Sequence, residues 1–211
     1  MQQITISKAV LKRLPIYLTY LKSQENLVNI SATALATALN LGEVQVRKDL
    51  ALVSDGGRPK IGYNRMKLID DIEQFLGCDN TNDAVVIGAG GLGGALLGYT
   101  GFAEYGLNIV AAFDSNPDLV GKVKRGKKIY PVSELKQFCM ERKILIGIIT
   151  VPSEFAQSVC DTLIECGIRA IWNFAPVHLE VPDGVLVQRE NMATSLAVLS
   201  KHLAVQIENG K

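Results

Sequence analysis

The chain has 211 residues, 48% of them hydrophobic, and a formal net charge of +1. This length allows one large core, or one core with a small second domain. The N-terminus lacks the pattern of a secretory signal, no apolar run reaches the length of a membrane span, and two histidines with no close cysteine cluster argue against a metal site. Four cysteines without a CxxC pair are typical of a protein of the reduced cytoplasm.

Basic residues are concentrated in the first third of the chain. Residues 1–67 carry ten Lys and Arg against four Asp and Glu, a net charge of +6, whereas the remainder carries −5. A basic segment joined to an acidic body indicates that the segment meets a polyanion.

The first helical region is predicted from its capping residue and a proline. Ser7 is suited to cap the helix KAVLKRL, and Pro15 is expected either to kink this helix or to begin a new one, PIYLTYLKSQ. One face of that second segment carries Ile16, Tyr17, Tyr20 and Leu21.

A helix-turn-helix is predicted over residues 31–53. Ser31 is a good N-cap for the helix ATALATAL, the turn NLG leaves Gly42 free to take a positive φ, and the second helix is VQVRKDLALV. The apolar residues that would face one another are Leu35, Leu39, Val46, Leu50 and Val53.

The second helix and the segment after it carry the candidate DNA contacts. Residues near the start of a recognition helix reach the major groove, where Gln pairs with adenine and Arg or Lys with guanine or a phosphate. The glycine-rich SDGGRPKIGY predicts a hairpin wing with a basic tip. The DNA-binding candidates are Ser31, Gln45, Arg47, Lys48, Arg58 and Lys60. The alternative is a plain helical hairpin whose charged face is only solvated.

From residue 83 onward, strands and helices alternate, which predicts an α/β fold with a parallel, doubly wound sheet of the Rossmann type. The predicted strands are AVVIG, NIVAAFD, KKIYPV, ILIGIIT, IRAIWNF and GVLVQ. The predicted helices are GLGGALLGYTGFAEY, SELKQFCMER and SEFAQSVCDTLIECG.

A dinucleotide site is predicted where the first of these strands ends. Gly88, Gly90 and Gly93 form the G-x-G-x-x-G pattern, whose glycines allow a tight turn, a close approach to a diphosphate and close packing of helix on strand. Asp114 ends the second strand, where a carboxylate can accept both ribose hydroxyls and repel a 2′-phosphate. The pattern therefore predicts NAD(H) rather than NADP(H). The alternative for Asp114 is a turn residue before SNP.

The rest of the chain offers no substrate domain, which argues against a dehydrogenase. His178 lies in a proline-flanked connection and is better explained as a surface or packing residue than as a general acid, so no catalytic residue is predicted. The last helix, 191–208, would pack either on its own domain or on a partner subunit, and helix-turn-helix proteins usually act as dimers. Its apolar stripe consists of Met192, Leu196, Leu199, Leu203 and Ile207.

Six segments occur in this chain in the order found in one known family. They are LKRLPIY (11–17), VQVRKDLA (44–51), GY (62–63), GAGGLGGALLGYTGF (88–102), TVPSEFAQ (150–157) and NFAPVHLEVPDG (173–184). Through them, and over nearly its whole length, the chain resembles the Rex family of bacterial redox-sensing transcriptional repressors. The expected organisation is a winged-helix DNA-binding domain (1–78), a Rossmann NAD(H)-binding domain (79–190) and a C-terminal dimerisation helix (191–211).

The resemblance implies a homodimer with exchanged C-terminal helices that binds inverted-repeat, double-stranded operator DNA upstream of fermentative or respiratory genes and leaves it when NADH accumulates. It also implies that Tyr99 lies near the switch region and belongs to the cofactor-binding residues. Carried onto matching positions, it implies that NADH or NAD+ is held by Gly88, Ala89, Gly90, Gly91, Leu92, Gly93, Gly94 and Asp114, and is lined by Thr150, Val151, Pro152, Asn173 and Phe174.

The charge of the nicotinamide offers a physical basis for such sensing. A pocket walled by apolar groups such as Phe174 and Ala175 would desolvate the oxidised, cationic ring at a cost and the reduced, neutral ring at little cost. Three alternatives remain at this stage: an NAD-dependent oxidoreductase with no separate substrate domain, a nucleotide-binding module without DNA affinity, and a CoA- or flavin-binding relative.

Overall fold

The computed structural model describes residues 7–78 and 82–210, which belong to two compact units. The first unit lies within Met1–Asn80 and Glu104–Gly106, and the second within Thr81–Ala103 and Leu107–Lys211. Within these described ranges, no helix has the length and apolar character that a bilayer span requires. The same ranges contain no group of three His, Cys, Asp or Glu side chains placed to hold a metal ion.

The first unit packs four helices around one apolar core and adds a two-stranded antiparallel sheet. Its core is built from all four helices and includes Leu14, Tyr17, Leu35, Val46, Leu50, Leu68 and Ile72. The helices are α1 (Lys8–Ser23), α2 (Ala32–Ala38), α3 (Glu43–Val53) and α4 (Arg65–Leu76), and the strands are β1 (Asn29–Ile30) and β2 (Tyr63–Asn64).

The first helix runs without interruption through Pro15, so the expectation that a new helix begins there is wrong. A proline inside a helix removes one backbone hydrogen bond. The helix continues because Leu14 and Leu18, on either side of the proline, are both buried in the same core. Ile16 is 50% exposed and lies outside the buried face, contrary to the predicted grouping.

The turn between α2 and α3 has a positive φ at a different residue from the predicted one. Gly42 has φ −68° and is the N-cap of α3, whereas Asn40 has φ 53°. The amide of Leu41 donates to the carbonyl of Ala36 over 2.9 Å, so Asn40 occupies the left-handed position that ends α2. Asparagine is one of the few residues with a side chain that accept this position at low cost.

The predicted wing is a short, tight hairpin. The amide of Arg58 donates to the carbonyl of Gly62 over 3.0 Å, and the amide of Gly62 donates back over 2.9 Å. Lys60, at the tip, has φ 64°, and Gly62 has φ 84°. A Cβ atom on Gly62 would lie 2.4 Å from the carbonyl oxygen of Ile30, so glycine is required where the hairpin returns to β1.

The second unit is built on a seven-stranded sheet in the order β5-β6-β4-β3-β7-β8-β9, parallel throughout except for the β5–β6 pair. All six predicted strands are present, and β5 is additional. The strands are β3 (Asn82–Ile87), β4 (Leu107–Asp114), β5 (Val123–Lys124), β6 (Lys127–Pro131), β7 (Ile146–Ile149), β8 (Ala170–Asn173) and β9 (Leu186–Arg189). The helices are α5 (Gly91–Leu96), α6 (Leu135–Arg142), α7 (Ser153–Glu165) and α8 (Met192–Glu208).

Both faces of this sheet are covered, as a doubly wound fold requires. Side chains of β3 alternate between the faces: Val85 and Ile87 join one buried cluster, and Ala84 and Val86 join the other. The first cluster includes Leu135, Cys139, Ala156, Cys160 and Leu163 from α6 and α7. The fold class predicted from the sequence is therefore confirmed.

The helix expected over residues 91–105 is wrong as a single element. Helix α5 ends at Leu96, and a separate 3-10 helix covers Thr100–Tyr105. Glycine lowers helix stability because of its backbone freedom, and this segment contains several glycines. A Cβ atom on Gly98, in the break, would lie 2.8 Å from Cγ of Arg125.

The last helix, α8, leaves its apolar stripe uncovered. The exposed fractions of Leu196, Leu199, Leu203 and Ile207 are 66%, 64%, 55% and 69%. Packing of this stripe on its own domain, one of the two predicted alternatives, is therefore wrong for these four residues. The side chain of Met192, which was predicted to join them, lies outside the described part of the chain.

Candidate functional site

The helix-turn-helix forms as predicted and exposes its candidate DNA-binding residues. The hydroxyl of Ser31 accepts a hydrogen bond from the amide of Ala34 over 3.0 Å, which caps α2. Gln45, Arg47 and Lys48 are all exposed in the first two turns of α3. The guanidinium of Arg47 contacts the carboxylate of Glu43 one turn earlier on the same helix.

Four of the six candidates line one cavity of about 400 Å³, which brings the start of α2, the helix α3 and the hairpin tip together. These four are Ser31, Arg47, Arg58 and Lys60. Three cations and a hydroxyl around one concavity suit the oxygen atoms of a phosphate backbone. Gln45 and Lys48 lie on α3 and do not line this cavity.

A buried ion pair joins α1 to α3, and it involves one of the candidates. Asp49 is 1% exposed and accepts hydrogen bonds from Arg13 Nε (2.6 Å), Arg13 Nη2 (2.9 Å), the hydroxyl of Tyr17 (2.7 Å) and Gln45 Nε2 (2.8 Å). Gln45 therefore points its amide at Asp49, and this contact uses one of the two donors of its amide nitrogen.

The protonation of this cluster follows from its burial and its hydrogen bonds. Burial acts to raise the pKa of Asp49, but the hydrogen bonds from Arg13, Tyr17 and Gln45 together outweigh it and hold the pKa below its usual value. Burial, reinforced by the hydrogen bond to Asp49, raises the pKa of Tyr17 to about 12. This cluster was not predicted, although an aspartate between Val46 and Leu50 on an apolar helix face is a signal in the sequence.

In the second unit, the predicted dinucleotide residues meet at the carboxyl ends of β3, β4, β7 and β8. Hydrogen bonds between neighbouring strand ends join them: the amide of Gly88 donates to Phe113, that of Thr150 to Ile87 (2.9 Å) and that of Phe174 to Ile149. The carboxyl ends of the strands are where open α/β sheets bind their ligands.

The glycine loop has the shape that a diphosphate requires. Gly88 has φ 97°, and a Cβ atom on Gly93 would lie 1.8 Å from the carbonyl oxygen of Gly88, so neither position accepts a side chain without a shift of the backbone. Cβ atoms on Gly90 and Gly91 would meet no protein atom within 4 Å. The loop is closed towards the protein and open on its outer side. These residues fit NAD(H), which would supply its diphosphate there.

Asp114 makes the turn contact that was one of its two predicted roles, and it also contacts the glycine loop. One carboxylate oxygen accepts the amide of Ala89 over 2.6 Å, and the other accepts the amide of Asn116 over 2.8 Å, which is a turn contact. The first bond fixes the carboxylate against the glycine loop, where the ribose next to a loop-bound diphosphate would lie.

Lys124 also reaches this loop, although it was not among the predicted site residues. Its ammonium donates to the carbonyl oxygen of Ala89 over 2.7 Å. In the sequence it belongs to the run KVKRGKK, which has the pattern of a solvated charged hairpin. No sequence signal placed it at the loop, because the contact depends on β5 lying at the edge of the sheet.

The remaining predicted residues form the wall beside the loop. The hydroxyl of Thr150 donates to the carbonyl oxygen of Gly88 over 2.7 Å, and a Cβ atom on Gly88 would lie 3.0 Å from Cγ1 of Val151. Asn173 is fully buried, and its amide nitrogen donates to the carbonyls of Ala175 and Val177, over 3.1 Å each. Its side chain is therefore used to fix the turn that carries Phe174.

Tyr99 connects to this wall through a row of aromatic rings. The centroid distances are 4.7 Å from Tyr99 to Phe102, 5.6 Å from Phe102 to Trp172 and 4.6 Å from Trp172 to Phe174. Tyr99 itself is 61% exposed and lies in the segment that follows α5. The side chain of His178 is exposed, as expected of a surface residue.

Comparison with known proteins covers both units. A family described as a putative DNA-binding protein N-terminus matches residues 5–51, and one described as a CoA binding domain matches residues 79–177. The redox-sensing transcriptional repressor Rex of Treponema denticola is 45% identical over 190 residues, covering 89% of this chain and 90% of the relative. The Rex repressor of Bacteroides fragilis is 39% identical, covering 94% of this chain and 91% of the relative.

Solved structures of a Rex-family repressor, RSP, have the same fold. RSP in complex with NAD+ and operator DNA is 35% identical with a TM-score of 0.89, and covers 98% of this chain and 95% of the other. RSP in complex with NADH is 34% identical with a TM-score of 0.88, and covers 99% and 100%. With relatives of this identity matching along nearly its full length, the chain belongs to the Rex family of redox-sensing transcriptional repressors.

Proposed function

We propose that this chain is a repressor that binds operator DNA through its first unit and releases it when its second unit binds NADH, so that transcription follows the NADH/NAD+ ratio. The observation that supports this most strongly is that one chain carries both a basic cavity at a helix-turn-helix and a glycine loop beside a strand-end carboxylate. Its relatives are repressors, and the chain is a regulator rather than an enzyme.

The first unit would hold DNA in two ways. Ser31, Arg58 and Lys60 would contact phosphates from the cavity, and α3 would enter the major groove with Arg47 and Lys48 directed at bases or phosphates. Breaking the ion pair between Arg47 and Glu43 costs little free energy, because the two side chains are 65% and 42% exposed and exposed pairs contribute little to stability. Leaving Asp49 would cost Gln45 more, because that carboxylate is buried.

The second unit would hold the dinucleotide at the strand ends described above. The loop Gly88–Gly94 would take the diphosphate, Asp114 would accept the ribose hydroxyls, and Thr150–Pro152 would form the wall. The nicotinamide would lie against Phe174 and the buried Ala175. When bound, this ring supplies the redox signal, because it is cationic when oxidised and neutral when reduced.

An apolar wall distinguishes the two redox forms by desolvation. Removing a cation from water costs far more than removing a neutral ring, unless the site provides a compensating charge. Asn173 directs its amide at Ala175 and Val177, so it provides no such compensation. Linkage then requires that operator DNA weaken NADH binding by the same factor by which NADH weakens DNA binding.

The protein would act as a homodimer whose subunits exchange α8. The support is the uncovered stripe of Leu196, Leu199, Leu203 and Ile207, which is too apolar to remain in water at more than half exposure. A two-fold dimer also matches the symmetry of an inverted repeat.

We propose that the domains comprise residues 1–78, 79–190 and 191–211.

The cytoplasm is the compartment that suits such a protein. Cys139, Cys160 and Cys166 are buried and form no disulfide. Burial raises the pKa of Cys139 to about 12 and that of Cys160 to about 11, so both stay as unreactive thiols. Buried thiols without bridges are typical of a reducing compartment.

A gel-shift assay with a palindromic probe tests this function. The probe should be retained with NAD+ and released with NADH. Operator DNA should weaken NADH binding by the same factor by which NADH weakens operator binding. A variant with Asp114→Ala should retain the probe and need about tenfold more NADH to release it. The proposed function fails if saturating NADH, shown to be bound, leaves operator occupancy unchanged.

A further inference from the structure

Lys124 occupies an unusual place among the cations of its hairpin. Lys122, Arg125 and Lys128 are exposed, whereas Lys124 and Lys127 are partly buried, and Lys124 extends its ammonium to the glycine loop. A Cβ atom on Gly94, in the first turn of α5, would lie only 3.3 Å from this nitrogen. The ammonium therefore lies between the carbonyl of Ala89 and the first turn of α5, at the two ends of the glycine loop.

The position of Lys124 is fixed through Ala89. The carbonyl of Ala89 accepts from Lys124 over 2.7 Å, and the amide of the same residue donates to Asp114 over 2.6 Å. A carbonyl oxygen satisfies one of the three donors of an ammonium. Holding a lysine in one geometry costs side-chain entropy, and a single neutral acceptor offsets little of that cost.

The loop itself carries no charge with which to bind an anion. The residues from Gly88 to Leu97, GAGGLGGALL, contain no Lys, Arg or His. A dinucleotide diphosphate carries two negative charges, and α5 has only six residues, so its backbone dipole is small. A charged donor at this place would strengthen binding because charge-assisted hydrogen bonds are about twice as strong as neutral ones.

We infer that Lys124 binds the diphosphate of the dinucleotide and supplies the positive charge that the glycine loop lacks. The inference rests on the proposed function, since it concerns the same ligand. In this arrangement the lysine keeps its stem along Gly94 and directs its remaining donors at the phosphate oxygens. Asp114 and Lys124, held on the two sides of Ala89, then bind adjacent parts of one ligand.

The test is the affinity of the full-length protein for NADH at low and high salt, measured by calorimetry at about 50 and about 500 mM salt. Lys124→Met should weaken binding about tenfold at low salt and make affinity nearly independent of salt. Lys124→Arg should retain most of the affinity and its salt dependence. Lys128→Met is the matched control, because Lys128 is exposed on the same hairpin and packs over the ring of Tyr130, and it should behave like the wild type.

The outcomes separate the inference from the function it rests on. Wild-type affinity in Lys124→Met would overturn the inference and leave the proposed function intact. Weaker binding by Lys124→Met with an unchanged salt dependence, or weak binding by Lys124→Arg, would also overturn it. Lys124 would then act only through its hydrogen bond to the carbonyl of Ala89. Failure of the wild type to bind NADH would overturn the proposed function and the inference together.

Discussion

Replacing Arg13 by alanine would remove the counter-charge of the buried Asp49. The carboxylate is 1% exposed and would lose two hydrogen bonds, of 2.6 and 2.9 Å, while keeping those from Tyr17 and Gln45. Removing one partner of a buried pair costs about 3–5 kcal/mol. The Arg13 side chain is 20% exposed, which favours the lower end, about 3 kcal/mol. Since whole folds are stable by about 5–15 kcal/mol, this is a large fraction of the total.

Urea unfolding followed by circular dichroism measures this cost. The matched control is Arg47→Ala, which also breaks an arginine–carboxylate pair, but an exposed one within a single helix, and should cost less than about 0.5 kcal/mol. A double-mutant cycle between Arg13 and Asp49 should give a coupling free energy of at least about 1.5 kcal/mol. Equal losses in the free energy of unfolding for Arg13→Ala and Arg47→Ala would contradict the cost assigned to the buried pair.

The same pair makes stability depend on acid. The pKa of Asp49 is lower in the folded chain than its ordinary value of 3.8. A lowered pKa stabilises the fold at pH values above the unfolded pKa, and this contribution is lost as the pH falls below 3.8 towards the folded pKa. Asp49→Asn should therefore be less stable at pH 7 and should lose less further stability than the wild type on acidification to about pH 2.

Three further expectations concern the second unit and α8. Gly93→Ala should lower the melting temperature even without ligand, because its Cβ atom would lie 1.8 Å from the backbone carbonyl oxygen of Gly88. Gly90→Ala should leave the melting temperature unchanged, because its Cβ atom would meet no protein atom within 4 Å, and should weaken NADH binding measured by calorimetry. Asp114→Ala should weaken NADH binding by about tenfold and reduce the preference for NADH over NADPH. If the mutation changes neither the affinity for NADH nor that for NADPH, Asp114 does not have this role. Leu199→Asp should convert a dimer to a monomer in sedimentation, and an unchanged mass would exclude this stripe as the interface.

Features that depend on a few neighbouring residues were predictable from the sequence. Ser31 caps α2 as expected, because a cap needs only a side-chain oxygen and an amide three residues later. The strand end at Asp114 followed from a run of apolar residues, and Gly88 from the spacing of the glycines. The strand predicted as IRAIWNF was also found, but it ends one residue earlier, at Asn173. One local feature was overlooked: the helix RMKLIDDIEQFL, whose buried side, with Leu68 and Ile72, has ordinary helical spacing.

Features that depend on distant residues were not predictable in this way. Asp49 pairs with Arg13 across 36 positions, and Lys124 reaches Ala89 across 35. Both contacts depend on how whole elements pack, and no local pattern contains that information. Pro15 is a second example of a local pattern overridden by packing. Proline usually breaks a helix, but here it is tolerated because the core holds both halves of α1 in place.

The aromatic row that ends at Phe174 provides the molecule with an optical probe of its own. Trp172 is the single tryptophan of the chain, and its indole lies 4.6 Å from the ring of Phe174 and donates to Glu190 over 3.2 Å. Its fluorescence comes from one known position, and reduced nicotinamide absorbs light at the wavelengths that indole emits. Quenching of this emission, with a rise in nicotinamide emission, would follow occupancy of the second unit in real time without any added label.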